Sequence, residues 1–158
     1  MASVSRHAVR THRHITPAAP EAVFPLLCPT REYDWIPHWS CDLLNSASGL
    51  AELDCAFATN FPGLGREIWV QTRHEPDRAV EFVRIGEGRA MRYTIELLPV
   101  PGGTALCLTQ RTTYTDDDAA IKCTADDAKF TPGMIELMRL LDHYLTHGEA
   151  LRPNGAQH

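Results

Sequence analysis

Five cysteines stand in the 158 residues without one C-x-x-C pair, and their odd number leaves any disulfide framework incomplete. These absences argue against a stapled secreted scaffold and against a zinc ribbon. Most of Cys28, Cys41, Cys55, Cys107 and Cys123 read as small buried hydrophobes of a reducing, cytoplasmic setting. No charge of one sign dominates: the formal net charge is -5 and the pI is near 5.9. A phosphate-tracking surface is therefore not expected, and nucleic acid is a poor partner. No apolar run is long enough to span a bilayer. The basic start around Arg6, Arg10 and Arg13 lacks the apolar stretch that a secretory signal needs. Also missing are G-x-S-x-G, a P-loop and a Rossmann glycine fingerprint. Neither a cofactor nor a metal is expected.

What is present begins near the C-terminus. Thr131 is a good N-cap with Pro132 at the first helical position, and Gly148 suits the left-handed residue after the last turn. Between them Phe130, Met134, Leu137, Met138, Leu141, Tyr144 and Leu145 recur at helical spacing, with Glu136, Arg139, His143 and His147 away from the stripe's centre. The stripe needs a partner surface, because packing rather than propensity decides the stability of such a helix.

Most of the preceding chain reads as strand. Val4 to Ile15 alternates weakly, with Val9, Thr11 and Ile15 on one side. Ala18 to Cys28 reads as a short helix interrupted by Pro25, and Arg31 to Trp35 as a further helical turn. Strands follow over about 39–46, 54–61, 66–74, 79–85, 91–98 and 104–115, separated by Ser48-Gly49, Pro62-Gly63, Glu75-Pro76-Asp77, Gly86-Glu87-Gly88 and Pro99 to Gly103. Connections this short allow hairpins, so the sheet is expected to be an antiparallel meander of about seven strands. The inward faces of the strands around Trp69 and Val80–Ile85 stay open. Asp116-Asp117-Asp118 and Asp126-Asp127 bracket a polar stretch with room for a short helix. Residues 1–150 read as one domain, since a chain this long buries roughly 70% of its unfolded surface, and 151–158 read as a loose tail.

Strand, two short helices, six strands and a long helix is the order of an α+β helix-grip protein. With this order go Pro20-Glu21-Ala22-Val23-Phe24, Trp35-Ile36-Pro37-His38-Trp39, Tyr93-Thr94-Ile95-Glu96-Leu97 with Pro101-Gly102-Gly103-Thr104, and His143-Tyr144-Leu145 with Gly148. On these segments the chain resembles the START-like, Bet v 1-like superfamily, in its polyketide cyclase/dehydrase-like or lipid-transport branch. The segments are packing and turn signals, not catalytic motifs. The resemblance implies a curved antiparallel sheet wrapped around the C-terminal helix, with an apolar cavity opening near the two short helices. The leading expectation is a binding protein for a small hydrophobic, aromatic or lipid-like molecule. The alternatives are a polyketide cyclase/dehydrase-like or hydrolase-like enzyme using the same cavity, and an interaction module similar to chaperone activators. Monomer and homodimer are equally open.

Candidate side chains fall into two sets. His143 and His147 have an i, i+4 metal-ligand spacing, yet both lie off the apolar stripe and no glutamate follows His143, so they read as solvent-facing. His12 and His14 share a face with Arg10 and read as solvated. Glu32, Asp34 and His38 lie in the segment that the resemblance places near the cavity mouth; His38 could serve as a general base oriented by Asp34, and Tyr114 could assist proton transfer. The ligand-lining set is Trp39, Phe57, Phe61, Trp69, Tyr93, Ile95, Met134, Met138 and Leu141, with Gln110 and Thr112 offering hydrogen bonds. A dry void of about 300 Å³ would cost about 7 kcal/mol, so such a cavity holds water or ligand, or collapses around the flexible methionines.

Overall fold

The computed structural model describes residues 6–152. The expected start of the first strand at Val4 and most of the expected loose tail lie outside the described residues. One seven-stranded antiparallel sheet runs β1 (His7–Thr16), β7 (Gly103–Tyr114), β6 (Arg89–Val100), β5 (Ala79–Gly86), β4 (Gly65–Glu75), β3 (Ala56–Phe61), β2 (Asp42–Asn45). β2 to β7 form the expected meander, while β1 pairs with β7, so β1 and β2 occupy opposite edges. Their connection carries α1 (Pro20–Val23) and two 3-10 turns, Phe24–Leu26 and Glu32–Asp34. Pro25 lies at the start of the first 3-10 turn, where a missing N–H costs nothing.

Trp39 does not extend β2 as expected. Its indole N–H turns back to donate to the Pro29 carbonyl at 2.7 Å, while the Tyr33 hydroxyl clamps both the N–H and the C=O of Cys41. These bonds delay the strand to Asp42.

The closing helix differs most from expectation. α3 runs Cys123–His147, with Thr131 and Pro132 inside it, and a short helix α2 (Asp117–Ala120) precedes it. Asp116 caps α2 by accepting the Ala119 N–H at 2.8 Å. Pro132 removes a single donor, the one that would serve the carbonyl of exposed Ala128. The extra two turns are held by tertiary bonds: Arg10 Nε donates to Asp127 at 2.6 Å, the Tyr114 hydroxyl to Asp126 at 2.7 Å, and Phe130 is buried. The far end is as expected, with Gly148 left-handed at φ 73 and its N–H on the Tyr144 carbonyl.

β1 corrects a second expectation. Its apolar residues Val9 and Ile15 face outward, while Arg10 and Thr16 are buried beneath α3. His14 is not on a solvated face: its Nε2 lies 2.9 Å from Asp142, which also accepts from the Thr16 hydroxyl at 2.6 Å. Where β1 ends, Gly103 lies so close that a Cβ there would stand 2.0 Å from the Thr16 carbonyl oxygen. Only glycine fits that crossing.

The core sits between the inner sheet face and α3, where Leu106, Leu108, Met138 and Leu141 have at most 1% exposure. Met91, Tyr93, Ile95 and Leu97 share the buried face of β6 as their alternation predicts. Among the described residues no helix is long and apolar enough to cross a membrane.

Candidate functional site

Register builds the site in rows across the sheet. One inner row runs Thr59, Glu67, Gly86, Arg89, Tyr114; the next runs Phe57, Trp69, Arg84, Met91, Thr112; a third runs Gln71, Phe82, Tyr93, Gln110, Arg10. Trp69 therefore points inward with Glu67 and Gln71, and the apolar Ile85 and half-exposed Val70 face out. Gln71 is tolerated inside because its amide donates to the Arg73 carbonyl at 3.1 Å and approaches His74 Nδ1 at 3.0 Å. Glu67 is tolerated because Gly86 beside it has no side chain. A Cβ at Gly86 would fall 2.6 Å from Glu67 Cγ. Glu67 Oε2 instead accepts from Arg89 Nε at 2.8 Å, and Oε1 accepts from Arg89 Nη2 at 3.0 Å and Arg84 Nη2 at 2.5 Å.

Two adjoining chambers open between this face, the α1 connection and α3. The first is about 530 Å³ and mostly apolar; the second is about 550 Å³ and lies under the N-terminal half of α3. They share Pro62, Arg84, Gln110, Gly133 and Met134 at their junction.

Of the residues expected to line a ligand site, Trp39, Phe61, Trp69, Tyr93, Ile95, Gln110, Met134 and Met138 border the apolar chamber. Phe57, Thr112 and Leu141 do not. Phe57 is buried behind Trp69, stacked on it at 5.1 Å; Thr112 and Leu141 have no exposure at all. His38 borders the same chamber, but Asp34 does not orient it: Asp34 accepts from Arg31 Nε at 2.9 Å. Tyr114 borders the second chamber, its hydroxyl accepting from Arg10 and donating to Asp126. His143 and His147 place their rings 4.4 Å apart, His143 half-buried rather than fully solvent-facing, and no group of three metal-binding side chains occurs among the described residues.

The charged residues of the site escape a reading by periodicity alone. Arg84, 6% exposed, lies with its guanidinium carbon 4.0 Å over the Trp69 ring, and its Nε is buried without a hydrogen-bond partner. Burial pulls its pKa down to about 10, against the attraction of Glu67. Its signal was the alternation Val80, Phe82, Arg84, which competes with the equally apolar Val83 and Ile85. Glu32 borders the apolar chamber with no hydrogen bond to its carboxyl among the described residues. Desolvation pushes that carboxyl well above the usual range, with Cys28 adding to the rise and Arg84 opposing it. Burial likewise raises the Tyr93 hydroxyl, which lies 3.6 Å from Met134 Sδ. The chamber thus combines aromatic and sulfur walls, a cation at its junction with the second chamber and a carboxyl whose pKa burial raises.

No protein-family model matches the chain, and no curated protein matches it. Solved structures do. Protein MLL2253 from Mesorhizobium loti is similar at 15% identity and a TM-score of 0.67, over 90% of this chain and 99% of that one. The Aha1 dimer from Colwellia psychrerythraea is similar at 18% identity and 0.61, over 89% and 98%. DynU16, of the dynemicin biosynthetic locus, is similar at 17% identity and 0.65, over 95% of this chain but 56% of its own. Likeness at these identities establishes the fold, a curved antiparallel sheet closed by a C-terminal helix, and no activity.

Proposed function

We propose that this protein binds a small, mostly apolar molecule, aromatic or lipid-like, in the chamber between the sheet and α3. The supporting observation is the state of its tryptophans. Trp35, Trp39 and Trp69 all border the chamber, and their indole N–H groups are already spent on the Leu26 carbonyl, the Pro29 carbonyl and the Thr59 hydroxyl. What they turn to the chamber is ring surface with no donor left to satisfy. Apolar walls gain little from water, so an apolar ligand is the stabilising occupant. The resemblance to START-like proteins supports the same reading.

The test is fluorescence titration with the uncharged probe N-phenyl-1-naphthylamine, beside native mass spectrometry of freshly purified protein. Saturable binding that is weakened at least about tenfold by Met134→Trp, which fills the junction, is expected. Absence of saturable binding in a cooperatively folded sample would sink the reading.

One observation favours a catalytic use of the same chamber, of the cyclase or dehydrase kind. A carboxyl whose pKa is raised beside an apolar cavity suits a general acid, and Glu32 has that position where His38 and Asp34 lack the geometry to act together. Turnover of a polyketide-like substrate that disappears in Glu32→Gln and survives in His38→Ala would establish it. Survival in both variants would remove it.

A further inference from the structure

The second chamber carries more positive charge than the fold requires. One carboxylate, Glu67, holds two guanidinium groups, Arg84 and Arg89, and the three side chains are 2%, 7% and 12% exposed. The buried cluster therefore keeps one uncompensated positive charge, and Arg84 carries the unpartnered Nε. Arg10, itself paired with Asp127, borders the same space, as do Lys122 and Lys129. The last two are the chain's only lysines, in a protein whose net charge is -5. Neither forms an ion pair among the described residues. Two acids at the wall, Glu87 and Asp126, offset part of this charge and leave the cations in excess. Composition alone does not place the cations here. A buried excess charge is costly unless something pairs with it, and Arg84 stands at the junction, in the wall of both chambers.

We propose that the two chambers together take one amphipathic oxyanion, with its apolar body against Trp39, Trp69 and Phe82 and its anionic end on Arg84, facing Arg89 and Lys129. This deepens the binding reading above and rests on it. The guanidinium offers a carboxylate-sized anion charge-assisted hydrogen bonds that Glu67 leaves open. Met134 and Gly133 form the passage through which such a ligand is continuous, and a thioether and a bare backbone leave it adaptable.

A matched pair of probes tests the charge separately from the cavity. 1-Anilinonaphthalene-8-sulfonate and N-phenyl-1-naphthylamine share one ring body and differ by the sulfonate. The unaltered protein should bind the anionic probe roughly tenfold tighter or more, the scale of one charge-assisted hydrogen bond. Arg84→Gln should bring the ratio of the two affinities to about one, and Lys129→Gln, at an exposed position, should lower it by a smaller factor of about two to three. Cooperative urea unfolding establishes that each variant is folded; if Arg84→Gln is not, the ratio in the unaltered protein still decides. Equal affinity for the two probes, or a ratio indifferent to Arg84→Gln, overturns the anionic subsite and leaves the apolar cavity standing. Failure of both probes overturns the subsite and the binding reading together.

Discussion

Two glutamates near one cavity meet opposite fates, and the difference lies in their partners. Burial raises the Glu67 carboxyl, but the hydrogen bonds of Arg89 and the charges of Arg84 and Arg89 outweigh it and hold it below the ordinary range. Glu32 is desolvated with no such hydrogen bond among the described residues, and the charge of Arg84 alone does not outweigh the burial, so it goes up. With its folded pKa above the unfolded one, the folded protein keeps a proton that the unfolded chain releases. The stability Glu32 contributes is then complete below about pH 4, where both states are protonated, and is lost as pH rises through the folded value. Glu32→Gln should match the parent protein in urea unfolding at low pH and become progressively more stable than it towards pH 8; a difference constant across that range would contradict the assignment. Neither fate is legible in the sequence. Alternation shows which residues share a face, and it placed Tyr93 and Met91 correctly, but it ranks faces by hydropathy. A strand whose inner face holds Glu67 and Gln71 beside Trp69 defeats that ranking, because Glu67 is admitted by a glycine one strand away, Gly86, and Gln71 by the Arg73 carbonyl and His74.

At the scale of an element, α3 was legible at its end and not at its start. Gly148 is a local signal and local physics satisfies it, whereas Thr131-Pro132 is an equally local signal that longer-range bonds override. Arg10, more than a hundred residues upstream, holds the extra turns through Asp127. Nothing near Cys123 announces that. The helix should accordingly respond to substitution by what each position packs against. Leu141→Ala, at a fully buried site, should cost about 2–5 kcal/mol. Gly133→Ala should gain about 0.5–1 kcal/mol, since a Cβ there meets nothing within 4 Å. Denaturant midpoints at constant slope check both. A loss of stability on Gly133→Ala would mean that the bare backbone at the chamber junction is needed for packing.

For the whole molecule, the element order and the meander were legible because each rests on short connections, whereas no local signal announces the pairing of β1 with β7. The chambers were foreseen as one apolar cavity; their division and the charge of the second depend on side chains brought together from β4, β5, β6 and α3, which no linear pattern registers. The placement of β1 has a kinetic consequence. His7 pairs with Thr113 across 106 residues, and Thr16 and His14 reach Asp142 across still longer stretches. The meander can assemble from neighbours, but β1 must wait for nearly the whole chain, and loops of that length are closed late. Thr16→Ala should therefore quicken unfolding in stopped-flow measurements while leaving the refolding rate nearly unchanged; slowed refolding would instead place this edge in the nucleus. β1 also supplies Arg10 to the wall of the second chamber, so the cationic lining there is complete only once this late-forming edge is in place.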